Sequence, residues 1–135
     1  LVPVVERNLR LYGLENRAIA RRPVRSCEVG FDFPAWFEDP QVIIPPFEKI
    51  AQKCIEEGAE VIVVACCGLG PALTKAGYRE VEDTGVPVID VASAAIKMAE
   101  LQADMNNSLG ISTSKHLTYR STAPDIINEM TKSFT

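Results

Sequence analysis

The sequence has little of what metal sites, nucleic-acid binding and membrane insertion require. His116 is its single histidine, and the four cysteines form no CxxC pair, so no zinc framework can be assembled. The 14 Lys and Arg residues are outnumbered by 18 Asp and Glu, and the net charge of -4 argues against a nucleic-acid partner. The longest uncharged apolar stretch, 61–74, is interrupted by Gly and Pro and is shorter than the roughly 20 residues of a membrane span. We therefore expect no metal, no nucleic-acid partner and no membrane-spanning segment.

Signals for export are also missing at the beginning of the sequence. Leu1-Val2-Pro3 opens no signal-peptide pattern, so we expect a cytoplasmic protein whose thiols stay reduced and free. The absence of an initiator methionine predicts that the chain is a piece of a longer protein. Each thiol then needs an explanation, either as a small apolar core side chain or as a reactive group.

The sequence does contain enough apolar residues for a folded α/β domain. Of its 135 residues 47% are hydrophobic, which excludes disorder for most of the length. Alternating strand-like and helix-like segments predict a parallel sheet with flanking helices. The predicted helices are 3–12, 45–57, 72–82, 92–103 and 124–134, the predicted strands are 18–24, 61–65, 86–90 and 109–114, the predicted loops are 27–44 and 115–123, and a turn is predicted at 106–108.

Two of the predicted strands give the clearest evidence for a parallel sheet. The segment 61–65 is five consecutive apolar residues, most of them β-branched, and this pattern is typical of a strand buried on both faces of a parallel sheet. The segment 86–90 is similar but contains Pro87, which has no N–H group for a ladder bond. Pro87 therefore predicts an edge position or a local irregularity.

The candidate chemistry lies where these two strands end, because ligands of open parallel sheets bind beyond the carboxyl ends of the strands. The first strand is followed by CCGLGP at 66–71, and the second ends at Asp90. A helix that starts after the glycines would offer N–H groups to a carboxylate or carbonyl oxygen and would favour a thiolate at Cys66. Alternatively, Cys66 is a small apolar residue at a strand end. For Asp90, capping the next helix is favoured over acting as a base.

The remaining candidates carry weaker signals. Cys54 lies on the apolar face of a predicted helix and is interpreted as core, and a structural role is favoured for Cys27. A disulfide between the adjacent Cys66 and Cys67 would distort the peptide and is an uncommon outcome. The hydroxyl-rich segment 112–115 could bind an anion, although such clusters are usually turns. Neither GxGxxG after a strand nor a P-loop is present, so a nucleotide site is unsupported.

Four stretches of sequence, taken in order, resemble one enzyme family. The clearest is EGAEVIVVACCGL at 57–69, which is similar to the second-lobe cysteine motif of the aspartate/glutamate/hydantoin racemase superfamily. Three more agree with it: LVPVVERN at 1–8 with YGLE at 12–15, GVPVID at 85–90, and GISTSK at 110–115. Together they span nearly the whole chain, and the resemblance is strongest to the hydantoin and allantoin racemases.

The resemblance implies a cofactor-independent racemase of two similar α/β lobes with a small-molecule substrate between them. Each lobe contributes one cysteine: a thiolate takes the proton from the stereogenic carbon, and the opposing thiol returns a proton to the other face. By this resemblance Cys66 is the catalytic cysteine of the second lobe, and Cys67, Gly68 and Leu69 form the substrate-binding turn. Cys67 stands where the family usually has Ala or Thr.

The resemblance also implies how the chain is organised. Residues 1–106 match the second lobe without its first strand, and residues 107–135 match a segment that in the family returns to the first lobe. Cys27 and Cys54 fall in second-lobe segments, so neither takes the place of the first-lobe cysteine. We therefore expect the missing first lobe to be a partner, the chain alone to be inactive, and the enzyme to be a homo-oligomer.

Two other kinds of function stay open. Within the same superfamily, the reaction could be amino-acid racemisation, a related isomerisation or a decarboxylation, instead of racemisation of a 5-substituted hydantoin or allantoin. In a different class, the chain could be an inactive fragment or a non-catalytic α/β interaction module. A substrate panel separates the first group, and the sequence upstream of Leu1 separates the second.

Overall fold

A computed structural model of the protein describes residues 2–20, 22–30 and 32–132. Its helices and strands alternate through the middle of the chain, and two 3₁₀ turns occupy Glu15–Arg17 and Pro40–Val42. The helices and strands are α1 (Val2–Leu11), α2 (Phe33–Glu38), α3 (Ile44–Glu56), β1 (Ile62–Val64), α4 (Leu69–Lys75), β2 (Val88–Asp90), α5 (Val91–Leu109) and α6 (Pro124–Lys132).

The strands β1 and β2 form a two-stranded parallel sheet, and α4 lies in the connection between them. Ile62 pairs with Val88 and Val64 pairs with Asp90, so the two strands end at the same edge of the sheet. A parallel pair joined through a helix is the unit that the alternating sequence pattern predicts. The predicted α/β class is therefore confirmed.

Pro87 lies at a local irregularity immediately before β2. It forms an isolated antiparallel bridge with Glu80, and the N–H of Val88 donates to the carbonyl of Arg79 at 2.8 Å. On its other side, the carbonyl of Pro87 accepts the N–H of Ile62 at 2.9 Å. Pro87 thus takes part in the sheet only as an acceptor, which its missing N–H permits, and the predicted irregularity is confirmed.

The core lies on one face of the sheet, where α2, α3 and α4 contribute their apolar side chains. Ile43, Leu73 and Val81 are the largest fully buried side chains. Trp36 of α2 is also buried, and its indole N–H donates to the carbonyl of Val29 at 3.2 Å, which satisfies the one polar group of the ring. The other buried apolar residues are Phe47, Ala51, Val64, Leu69 and Ala72.

The burial of β1 differs from the prediction. Val64 is 5% exposed, but Val63 is 57% exposed, and Ile89 in the paired strand is 40% exposed. Successive side chains of a strand point to opposite faces, and the helices that build the core contribute to the Val64 face. The prediction of a strand buried on both faces is therefore wrong for the described residues.

The segment before α3 is more ordered than predicted. The predicted loop 27–44 contains α2, because the Asp32 carboxylate accepts the N–H of Ala35 at 3.3 Å and a proline occupies the first turn. A 3₁₀ turn follows, capped by Asp39, which accepts the N–H of Gln41 at 3.1 Å. The strand predicted at 18–24 is not formed by its described residues, and residue 21 lies outside them.

Two helices, α4 and α5, differ from their predicted bounds, and each ends shortly before a glycine. α4 begins at Leu69 and ends at Lys75, shortly before Gly77 with φ 78°, so the predicted helix 72–82 is too long. α5 continues through the predicted turn at 106–108 and ends before Gly110, whose φ is 68°. The strand predicted at 109–114 is absent from this described segment. α1, α3 and α6 lie close to their predicted positions, although residues 133–134 fall outside the described part of the chain.

The chain divides into two compact units, Leu1–Lys97 and Met98–Thr135. The first unit holds the sheet, the core and helices α1 to α4. In the second, the end of α5, the irregular segment 110–123 and α6 are almost wholly exposed. Within the described residues, no helix has the length and apolar character needed to cross a membrane.

Replacing Ile43 by Ala is expected to lower the free energy of unfolding by about 2–5 kcal/mol, because its fully buried side chain would leave a cavity. The neighbouring Val42 is 50% exposed, so Val42→Ala is a matched control that should cost less than about 0.5 kcal/mol. Urea denaturation of the two variants measures the difference. Equal losses would show that the core is placed wrongly.

Candidate active site

The candidate site lies at the sheet edge where β1 and β2 both end. Val64 and Asp90 are the paired last residues of the two strands. β1 is followed by Cys66 and the turn that leads into α4, and β2 runs directly into α5. The parallel register thus brings together the two strand ends that the sequence singles out.

The two adjacent cysteines differ in their surroundings. Cys66 is half-buried and packs against the core, whereas Cys67 is exposed. The carbonyl of Cys66 accepts the N–H of Gly70 at 3.1 Å, which ties the backbone of Cys66 to the first turn of α4. Of the two, Cys66 is therefore the more constrained, and its predicted position just after the strand β1 is confirmed.

Gly68 is covered by aromatic rings from α2. A Cβ atom at Gly68 would overlap the ring of Phe33 and would lie 3.4 Å from the ring of Trp36. The two rings are themselves in contact, with their centroids 4.7 Å apart. The φ angle of Gly68 is negative, so glycine is required here for close approach of the ring and not for backbone conformation.

The sequence prediction missed the part that Phe33 and Trp36 play at this turn, because it assigned their segment to a loop. A signal was available: Asp32 followed by Pro34 is the pattern of an N-cap with proline in the first helical turn. What no local pattern contains is the contact itself, since Phe33 and Gly68 are far apart in the sequence.

Asp90 is the buried charged residue of the described chain, at 8% exposed. Its carboxylate accepts the N–H of Ala92 at 2.9 Å, the N–H of Ser93 at 3.3 Å and the hydroxyl of Ser93. These bonds cap the N-terminus of α5 and offset the loss of water around the charge. The capping role favoured for Asp90 is confirmed.

The other two cysteines, Cys27 and Cys54, have thiols of raised pKa. Burial raises the pKa of Cys27, and the nearby Glu28 adds to it. Burial also raises the pKa of Cys54, partly opposed by Arg25, which forms an ion pair with Glu57. Both thiols are half-buried, but only Cys27 packs against the core, in keeping with the structural role favoured for it. Cys54 lies near Arg25 and Glu57, so the interpretation of Cys54 as a core residue is not confirmed.

The hydroxyl-rich segment 112–115 lies in the C-terminal unit and is exposed. Its Ser114 hydroxyl accepts the N–H of His116 at 3.3 Å, a local turn bond. The segment borders an open groove, but the structure shows no buried polar group there to select an anion. Elsewhere too, in residues 2–20, 22–30 and 32–132, no three His, Cys, Asp or Glu side chains cluster in a way that could hold a metal ion.

The fold and the site together define an α/β protein with a thiol at the carboxyl edge of a parallel sheet. The chain is 38% identical over 125 residues to the hydantoin racemase of Rhizobium meliloti. This alignment takes in 87% of the chain but 44% of that protein, so the chain spans less than half the length of its relative. The resemblance to hydantoin racemases inferred from the sequence motifs is confirmed. No protein-family profile matches the chain, and no solved structure matches it.

The four thiols are expected to react with iodoacetamide at different rates. Cys67 should react first because it is exposed, and Cys27 and Cys54 should react slowly near pH 7 because a raised pKa leaves little thiolate. Raising the pH from about 7 to about 9 should accelerate both slow thiols as they ionise. Peptide mass spectrometry of the folded chain measures each rate. Similar rates at all four positions would contradict the described burial.

Replacing Gly68 by Ala is expected to destabilise the chain by about 1–3 kcal/mol, because the new methyl group would displace the ring of Phe33. The same substitution made together with Phe33→Ala should add less than about 0.5 kcal/mol to the cost of Phe33→Ala alone, since the obstructing ring is gone. Thermal or urea unfolding of the three variants supplies the comparison. Additive costs would refute the contact between Phe33 and Gly68.

Proposed function

We propose that the chain supplies one side of the active site of a cofactor-independent racemase, with Cys66 as one of its two proton-transferring thiols. The observation that carries the proposal is the half-buried Cys66 at the carboxyl edge of the sheet, in a chain related to a hydantoin racemase. The substrate class that this supports is a 5-substituted hydantoin or allantoin.

The proposed chemistry is the exchange of one proton at carbon. The carbon next to the substrate's carbonyl group is a weak acid, and a thiolate on one face takes its proton, leaving an enolate. A thiol on the opposite face then gives a proton to the same carbon, and the configuration is inverted. Backbone N–H groups that hold the enolate oxygen lower the barrier further.

Cys66 suits the role of base or acid better than Cys67. A proton-transfer group must be held at hydrogen-bond distance from the carbon that it serves. Cys66 packs against the core and is tied through its carbonyl to Gly70, whereas Cys67 is exposed. In the proposal, Cys67, Gly68 and Leu69 form the substrate-binding turn, with Leu69 contributing its backbone because its side chain is buried in the core.

The second thiol is proposed to come from another lobe. Cys27 and Cys54 are half-buried and have raised pKa values, which leaves little of the thiolate that proton abstraction needs. In this arrangement residues 1–106 act as the second lobe, and residues 107–135 pack on the first. The whole enzyme would then be a homo-oligomer in the reducing cytoplasm, where its thiols stay free.

A chimaera tests this function. The segment of the Rhizobium meliloti hydantoin racemase that aligns with this chain is replaced by the chain, and loss of optical rotation is followed with an enantiopure 5-substituted hydantoin. The chimaera should racemise the substrate, and Cys66→Ser should lower kcat by a factor of about 100 to 10,000. The isolated chain should show no activity.

Cys54→Ser is the matched control, since it changes a half-buried thiol on α3, outside the proposed site, and should leave kcat within about threefold. An unchanged kcat in Cys66→Ser would refute the assignment. Loss of activity in Cys67→Ser alone would transfer the role to Cys67. If the chimaera acts on amino acids but on no hydantoin, the substrate class is wrong.

A further inference from the structure

The buried carboxylate of Asp90 makes contacts in two directions. Towards α5 it accepts the two backbone N–H groups and the hydroxyl already described, all from Ala92 and Ser93. Towards α4 it faces Gly70: a Cβ atom there would overlap Oδ1 and would lie 3.0 Å from Cγ and 3.3 Å from the Cβ of Asp90. One side chain thus contacts both helices that begin at this edge.

Gly70 is explained by this contact and by nothing in its own backbone. It lies inside α4 with a negative φ that any residue can adopt. Alanine is generally favoured over glycine in a helix, so glycine at this position carries a cost. The space that the missing side chain leaves is the space that the Asp90 carboxylate fills.

The contact between the Asp90 carboxylate and Gly70 also constrains the backbone of Cys66. The N–H of Gly70 donates to the carbonyl of Cys66, so whatever fixes Gly70 also limits the backbone at the cysteine. Asp90 is in turn fixed by its cap bonds and by its ladder pairing with Val64, two residues before Cys66. The Asp90 carboxylate therefore connects β2 to Gly70, and through Gly70 to the backbone of Cys66.

We propose that Asp90 is a positioning residue for Cys66: by filling the space over Gly70, its carboxylate sets the place of the proton-transferring thiol. This inference rests on the proposed function for its catalytic meaning. A displacement of about 1 Å at a catalytic group can reduce the rate about 100-fold, so the contact matters for catalysis far beyond its share of stability.

A double-mutant cycle between Gly70 and Asp90 tests the proposal. Gly70→Ala and Asp90→Ala should each lower kcat of the chimaera by about 10-fold to 100-fold and change KM by less than about threefold, because the thiol is misplaced while the substrate still binds. In the double variant, Gly70→Ala should add little, since the carboxylate that it would strike is gone. Asp90→Asn keeps the shape of the side chain and should restore most of kcat.

A second readout uses the 135-residue chain and needs no racemase activity. In Gly70→Ala and in Asp90→Ala, a loosened turn should make the half-buried Cys66 react with iodoacetamide at least about threefold faster relative to Cys54 of the same molecule. The two effects should again be non-additive. If the chimaera fails to racemise any substrate, the proposed function falls, but this measurement still decides whether Asp90 positions Cys66.

Asp39→Ala is the control for a purely structural role. It removes another bond from a carboxylate to a backbone N–H, that of Gln41, at a 3₁₀ turn elsewhere in the chain. It should cost stability without changing kcat or the reactivity of Cys66. The proposal is overturned if Asp90→Ala behaves like Asp39→Ala, if the Gly70 and Asp90 effects are additive, or if Asp90→Asn is as impaired as Asp90→Ala. Should Gly70→Ala fail to fold, the Asp90 variants alone decide.

Discussion

The parallel pairing of β1 with β2 is the interaction on which the candidate site depends. Only three residues of each strand take part, with Val64 opposite Asp90 at the end of the ladder. Because side chains alternate along a strand, a slip of one residue in β2 would turn Asp90 away from the core, and a slip in β1 would turn Val64 towards solvent. The cap of α5, the space over Gly70 and the position of Cys66 would all be lost with the register.

The turn after β1 is contacted by two side chains from distant parts of the sequence. Gly68 accommodates the ring of Phe33, and Gly70 accommodates the carboxylate of Asp90. The two glycines have negative φ angles, so their purpose is close contact. This explains why Cys66 and Cys67, neighbours in sequence, have different environments. Cys66 lies within the packed region, and Cys67 lies outside it.

The similarity to a hydantoin racemase suggests which reaction these contacts would serve, namely proton transfer at a carbon atom. The proposed abstraction of a proton from carbon needs a base held in a defined place, and Cys66 is proposed for that role. A racemase that works on two faces of one carbon needs a second group opposite the first, and the proposed two-lobed arrangement would supply it.

The residues in their local order were enough to predict the α/β class, the ends of α1 and α3 next to glycines, the irregularity at Pro87, the capping role of Asp90 and the family resemblance carried by the cysteine motif. Each of these is encoded in neighbouring residues, by periodicity, by a cap or by a short motif. Local patterns misplaced the order of 27–44, the turn at 106–108 and the burial of β1. The segment 27–44 contains a helix because the Asp32 cap outweighs an aromatic, proline-rich composition. α5 continues through 106–108 because no earlier residue stops it, and the burial of β1 depends on which face of the sheet the helices cover.

The contact of Phe33 with Gly68, the contact of Asp90 with Gly70, and the greater burial of Cys66 relative to Cys67 could be found only in the folded structure. Such contacts join residues far apart in the chain, and the packing of the whole domain selects them.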